Sequence, residues 1–293
     1  MKRALCIAAI CVTCGLAYAG FVHRGRGYTA ETASGGWTDP NESDLIVRYF
    51  FDPSVTNASG TVNDTSGNSH HGVLIPSAAS GPVWRVYGTN QVAGANFGRV
   101  EHRFAFDGSE DRIDITNSSA TVFNAMTNGF TITMWIERFN DDENEKIIVK
   151  SDIPGTSYDF IVQFNNTGTG LIRAFIYSRG NNAIYRGRTA PDFNSGSIVP
   201  LAVTYDGGNL STGIHIYTNY TRVDTATIEN GAFEQMENTT NSTIAIAEER
   251  DGCANFKGWI DDVRIYDRVL TTNELDVLFT NTDKPNNSNE DGY

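Results

Sequence analysis

From Leu45 onward, apolar residues come in short runs of alternating character, each closed by a cluster of Gly, Asn, Asp or Ser. The clearest are LIVRYFF (45–51), HRFAFDG (102–108), DRIDI (111–115), FTITMWIE (130–137), KIIVK (146–150) and YDFIVQF (158–164). LIRAFIY (171–177), VPLAVTYDGG (199–208), IHIYTNY (214–220), TIAIA (243–247) and GWIDDVRIY (258–266) continue the series. Hardly any helical periodicity interrupts them, so the pattern predicts an all-β chain folded as an antiparallel sandwich or barrel. One short helix is signalled after the last strand. In LTTNELDVLF (270–279), Thr271 can cap, Glu274 can reach back to it, and Leu270 can pack on Leu275.

The last strand poses a problem. Strict alternation places Trp259, Asp261, Val263 and Ile265 on one face and Ile260, Asp262, Arg264 and Tyr266 on the other. Asp262 then has Arg264 beside it. Asp261 instead shares a face with an indole and two aliphatic side chains, where an unpaired carboxylate costs several kcal/mol or takes a proton. Either the strand frays there, or backbone amides, a cross-strand arginine or a bound cation meet that carboxylate.

The ends of the chain read differently from its middle. Lys2 and Arg3 precede an apolar run from Ala4 to Leu16 and then Ala17-Tyr18-Ala19, the pattern of a secretory signal cleaved after Ala19. The run falls short of the roughly 20 apolar residues that span a membrane. Residues 20–44 lack periodicity and read as a mobile leader, residues 45–281 as the folded domain, and residues 282–293 as a disordered polar tail. Cys6, Cys11 and Cys14 leave with the signal, so Cys253 alone remains and no internal disulfide can form. Removing Lys2 and Arg3 takes the formal charge of -13 to about -15. That balance argues against a nucleic-acid partner, and it suits a secreted protein or a calcium ion, which takes oxygen ligands.

NDTSGNSHHG (63–72), HRFAFDGSEDRIDI (102–115), GFTITMWIE (129–137), LAVTYDGG (201–208) and FKGWIDDVRIYDRVLTTNEL (256–275) together resemble the laminin G-like, concanavalin A-like jelly-roll domains. The resemblance covers roughly Leu45 to Asn281. Two positions depart from the family pattern: Ile198 stands where tryptophan is usual, and Tyr220 where a turn glycine is common. The resemblance implies two antiparallel sheets face to face, with a structural calcium ion tying an early loop to the final strand. On that reading Asp261 and Asp64 are ion ligands, with Asn68 and the Gly108 carbonyl as further candidates. The alternative for Asp64 is a turn-forming aspartate bonded to its own loop.

Sandwiches of this class include glucanases, which place carboxylates at alternating positions on one strand face. Asp141, Glu143 and Glu145 have that spacing, but they sit in a polar connector with nothing apolar to desolvate them, so no catalytic residue is assigned. His70 and His71 are adjacent and diverge in an extended chain, and no zinc-protease or nucleophile-elbow motif occurs. Binding remains. Sugar recognition needs aromatic faces with a few polar groups, and the candidates are Trp84, Tyr158, Tyr177 and Tyr185, with Asn181 and Asn182. Core or cross-strand packing is the competing role for such aromatics. Trp135 shares a face with Thr131 and Thr133, which leaves it eligible for an open sheet face. The expected protein is a secreted, non-catalytic module recognising a glycan or another extracellular surface. A carbohydrate-active enzyme and an adhesive envelope component are the alternatives.

Overall fold

The computed structural model describes residues 39, 41–51, 60–75, 83–86, 102–115, 123, 125–139, 144–152, 157–165, 171–180, 182–189, 193, 197–229, 232–237, 239, 242–248 and 255–281. The expected signal (1–19), the tail (282–293) and Cys253 lie outside the described residues. The first strands are β1 (Leu45–Tyr49), β2 (Thr61–Val62), β3 (Gly72–Ile75), β4 (Val83–Val86), β5 (His102–Asp107) and β6 (Arg112–Ile115). Five longer ones follow: β7 (Phe130–Arg138), β8 (Lys146–Ser151), β9 (Tyr158–Asn165), β10 (Leu171–Ser178) and β11 (Asn182–Thr189). The series closes with β12 (Val199–Tyr205), β13 (Ile214–Thr218), β14 (Thr221–Arg222), β15 (Ala226–Glu229), β16 (Thr243–Ile246) and β17 (Lys257–Tyr266), then helix α1 (Thr272–Asn281).

Among the described residues these strands make two antiparallel sheets. The eight-stranded one runs β14-β13-β12-β7-β17-β5-β4, with β1 also paired to β17; the nine-stranded one runs β15-β11-β10-β9-β8-β16-β6-β3-β2. Alternation explains the core between them. Phe130, Ile132, Met134 and Ile136 of β7 meet a layer that includes Phe160, Val162 and Phe164 of β9 and Ile172, Ala174 and Ile176 of β10, all buried.

The outer face of the eight-stranded sheet is covered as well. Trp135, Ile198, Ala202, Tyr217 and Tyr266 pack beneath Leu275, Leu278 and Phe279 of α1. Trp135, at 2% exposure, meets Phe279 edge-on with ring centroids 5.9 Å apart. The expectation of an open face around Trp135 is therefore corrected, because the apolar side of the helix seals it. The helix starts as its sequence predicts: Thr271 N–H donates to the Glu274 carboxylate at 2.7 Å, and Glu274 N–H donates to the Thr271 hydroxyl at 3.3 Å. Leu270 and Leu275 are both buried beside that cap. Tyr220, in the turn before β14, takes φ 65° where glycine is unstrained, and its ring lies against Phe279 at 5.9 Å.

The last strand is not regular. Asp261 pairs with Trp135 and Arg264 with Thr133, so β17 advances three residues while β7 advances two. That is a β-bulge, and Asp262 accommodates it at φ 44°. Past the bulge every side chain changes face. Ile260, Val263 and Ile265 all enter the core, and Asp261 lies on the outer side with its cross-strand partner Trp135. The expectation that Asp261 shares the face of Val263 and Ile265 is corrected by this one inserted residue.

The bulge also aims Asp262 at Arg264. The guanidinium donates through Nε to Asp262 Oδ1 at 2.8 Å and through Nη2 to Oδ2 at 3.0 Å, while Nη1 reaches Asp39 Oδ2 at 2.8 Å. Tyr266 donates its hydroxyl to the same Asp39 oxygen at 2.6 Å. Arg264 is 2% exposed and lies 5.4 Å from the Phe50 ring centroid. Burial opposes its charge, but the two carboxylates outweigh that and raise its pKa. One turn further, Arg268 donates to Asp44 Oδ2 at 2.6 Å and to Asn41 Oδ1 at 2.5 Å. Asp39, Asn41 and Asp44 belong to the stretch expected to be a mobile leader. Two arginines at the end of the domain bind them.

The helix seal gives a direct expectation. Phe279→Ala should lower stability by about 3–5 kcal/mol and shift tryptophan emission to the red as Trp135 meets water. An unchanged urea midpoint with unchanged emission would mean that α1 does not cover this face.

Candidate functional site

The four positions expected to hold calcium are set apart. Asp64 accepts from Arg48 N–H at 3.0 Å and Ser66 N–H at 2.9 Å through Oδ1, and from the Ser66 hydroxyl at 2.8 Å and His70 N–H at 3.0 Å through Oδ2. It is a turn-forming aspartate stitched to its own loop and to β1. Asn68 donates to the Leu45 and Ile46 carbonyls at 2.7 and 3.0 Å, so this loop runs along the edge of β1 away from β17. The Arg48 level of β1 faces Arg264, not Asp261. The Gly108 carbonyl accepts from Asn255 at 3.3 Å, in the turn after the Asp107 that pairs with Lys257. Four residues of strand separate Lys257 from Asp261, roughly 13 Å. Asp261 itself is half-buried, lines a shallow depression with Trp135, Glu137, Ile198 and Trp259, and accepts from Asp262 N–H at 2.7 Å. As arranged, these four do not fit a single calcium shell. No group of three or more His, Cys, Asp or Glu side chains stands ready for a metal among the described residues.

Of the remaining charged candidates, Glu145 is held in the structure's own network. Glu145 is 1% exposed, paired with the equally buried Arg138, and accepts from Lys257 N–H at 3.3 Å. Arg138 in turn covers the Phe164 ring at 4.5 Å. A carboxylate held in this way has no approach for a substrate; Asp141 and Glu143 lie outside the described residues. His71 Nδ1 accepts from Asp64 N–H at 3.1 Å, and His70 packs edge-on to Phe123 at 4.8 Å. In the turn between β5 and β6, burial pushes the Asp111 carboxyl up to about 6. The Asp107 and Glu248 carboxylates add to that rise, and the hydrogen bond from Asp107 N–H, at 3.2 Å, opposes it.

The outer face of the nine-stranded sheet carries a different arrangement. On β10, Ile172, Ala174 and Ile176 turn inward, which leaves Arg173, Phe175 and Tyr177 half-exposed on the other face. Tyr185 of β11 stands directly across from Phe175, with ring centroids 4.7 Å apart. Phe175 and Tyr177 are nearly parallel at 6.0 Å and 21°. Tyr158 of β9 follows, 5.3 Å from Tyr177. Four half-exposed rings therefore form a continuous strip across three strands. Arg173 ends it, its guanidinium 5.1 Å from the Tyr185 centroid. Gly187, opposite Arg173 on β11, makes this possible: a Cβ there would stand 2.8 Å from Arg173 Cγ and 3.0 Å from the Ile172 carbonyl. On the β9 side Arg173 faces Gln163, whose carbonyl accepts from Lys146 Nζ at 2.6 Å.

Tyr158, Tyr177 and Tyr185 are thus brought together on one sheet face. Trp84 is not among them, because β4 lies at the edge of the other sheet. Asn181 lies outside the described residues, and Asn182 donates to the Arg179 carbonyl at 3.2 Å within its turn. Phe175 and Arg173 were missed. Their signal was present in LIRAFIY, where the residues between the buried aliphatics are Arg, Phe and Tyr.

Two antiparallel sheets face to face, one outer face sealed by a helix and the other open with an aromatic strip, define a lectin-like jelly-roll sandwich. The chain belongs to the concanavalin A-like lectin/glucanases superfamily, whose laminin G-type sequence profile matches residues 107–276. No curated protein matches it. Among solved structures, the binding domain of botulinum neurotoxin DC in complex with rat synaptotagmin II is similar at 15% identity, TM-score 0.58, over 83% of this chain and 52% of that one. The same domain in complex with SialylT gives 16%, 0.54, 83% and 52%. The serotype D ligand binding domain in complex with N-acetylneuraminic acid gives 15%, 0.52, 82% and 51%. The chain spans about half the length of each, and at that identity the likeness shows the fold.

The raised Asp111 pKa sets a pH dependence. The folded state holds this proton more tightly than the unfolded chain, so the ionised group lowers stability above pH 6 and the loss is recovered as pH falls toward the group's ordinary value of 3.8. Asp111→Asn should raise the urea midpoint at pH 7.5, with the gain vanishing below pH 4. A gain that is as large at pH 4 would contradict burial as the cause.

Proposed function

We propose that this chain is a non-catalytic recognition module that binds saccharide on the outer face of the nine-stranded sheet. The observation that carries the reading is the strip of Tyr158, Tyr177, Phe175 and Tyr185, four large rings left half-exposed side by side on three adjacent strands. Pyranose rings present an apolar C–H face, and a flat aromatic surface with a few polar groups at its rim is the complement of that shape. The non-catalytic part rests on the carboxylates. Asp159, the acid of these three strands, is buried and engaged by Lys150, Thr239 and Ser242, so it cannot act on a bound sugar. A ligand binding domain solved in complex with N-acetylneuraminic acid shares this fold over about half of its length, which is in keeping with the ligand class.

Two further parts of the proposal stand on other residues. Export follows from the pattern of residues 1–19, and the amino-terminal sequence of secreted protein reads it directly. Calcium would need ligands arranged otherwise than Asp64, Asn68, Gly108 and Asp261 are here; melting of metal-stripped protein with and without millimolar calcium tests it.

On a glycan array the protein should retain saccharides without releasing products. Tyr177→Ala and Tyr185→Ala should each weaken the best ligand by roughly three- to tenfold and leave the melting temperature nearly unchanged. Retention by both variants at wild-type strength would place the site elsewhere.

A further inference from the structure

Arg173 has a feature that packing does not account for. Its Nε–H is buried and has no hydrogen-bond partner among the described residues. Arg112, Arg138, Arg186, Arg222, Arg264 and Arg268 each meet a carboxylate within 4 Å. Among the described residues Arg173 meets no carboxylate within 4 Å, although the chain holds 35 acidic against 22 basic side chains. A buried donor without an acceptor costs free energy that a folded state sheds when it can. Here the neighbours preserve the arrangement. Gly187 keeps space for the side chain to lie across β11, and Tyr185 supports the guanidinium from below. Next along the same row come the Gln163 amide and the Lys146 amine, so this end of the strip is rich in donors.

We propose that the platform selects acidic saccharides, a sugar ring stacking on Phe175, Tyr177 and Tyr185 while its carboxylate docks on Arg173. The inference rests on the saccharide reading of the same face and adds the charge of the ligand. A planar carboxylate suits a guanidinium better than a hydroxyl does, because two parallel N–H···O bonds form at once. The distance from Arg173 to Tyr177 along β10 is roughly 13 Å, longer than one ring, so a short oligosaccharide can span both ends. The half-buried Lys146 amine beside Gln163 then lies where a second ring's substituents would reach.

The test uses uronic-acid hexasaccharides of three backbones (galacturonate, glucuronate and mannuronate), each as the free acid and as its neutral methyl ester, with the full-length protein in calorimetry. At least one acid should bind tenfold or more tightly than its ester, and the preference should shrink at high salt. Arg173→Gln should abolish the preference and keep the weaker binding of the ester. Tyr177→Ala should weaken both forms together. Equal affinity for acid and ester, with Tyr177→Ala still reducing it, would overturn the charge inference and leave the platform standing. Binding of neutral glycans that Tyr177→Ala leaves untouched, with no acid bound, would remove both.

Discussion

A guanidinium with almost no access to solvent joins the two ends of this domain. Arg264 lies on the last strand, Asp262 faces it across the bulge, and Asp39 arrives from a segment 225 residues earlier. A charge so buried is tolerated only when its hydrogen bonds are made and its countercharges are close. That requirement fixes much around it. Asp262 must adopt a positive φ so that its carboxylate lies flat against Nε and Nη2, and the segment before β1 must dock so that Asp39 and Tyr266 can share an oxygen. β1 is then held against β17, and Arg268 repeats the link through Asp44 and Asn41.

The bulge decides which face of β17 looks where, and through that it decides which surfaces remain for function. Because Ile260, Val263 and Ile265 all enter the core, Trp259, Asp261 and Tyr266 fall on the outer side of the eight-stranded sheet. Tyr266 there joins Trp135 under α1, and that part of the face is closed by packing. The open aromatic strip is on the opposite sheet, where no described helix lies over β9, β10 and β11. The helix therefore covers the aromatic patch around Trp135 and leaves the strip on the other sheet half-exposed.

Much of this was legible in the chain. Eleven of the strand runs and the Thr271–Glu274 cap follow from alternation and capping chemistry, which act over a few residues and leave a local trace. The bulge left no such trace. Period-two alternation treats Asp261 and Asp262 as consecutive strand residues, and only the register against β7 reveals that one of them is extra. Asp39 was equally hidden, since its partner is more than two hundred residues away and its own neighbourhood is polar and irregular. The aromatic strip was half legible. Tyrosines were identified by type, whereas Phe175 and Arg173 required reading which positions of β10 face outward. The resemblance carries residue types forward, whereas the partners that Asp64 meets, Arg48, Ser66 and His70, are set by the loop it sits in.

A double-mutant cycle between Asp39 and Arg264 tests the central link most directly. Asp39→Ala and Arg264→Ala, alone and together, are unfolded in urea. Each single change is expected to cost about 3 kcal/mol, and the pair should show a coupling of about 2 kcal/mol or more. A coupling near zero, with the single costs simply adding, would mean that the segment before β1 is not held by this guanidinium.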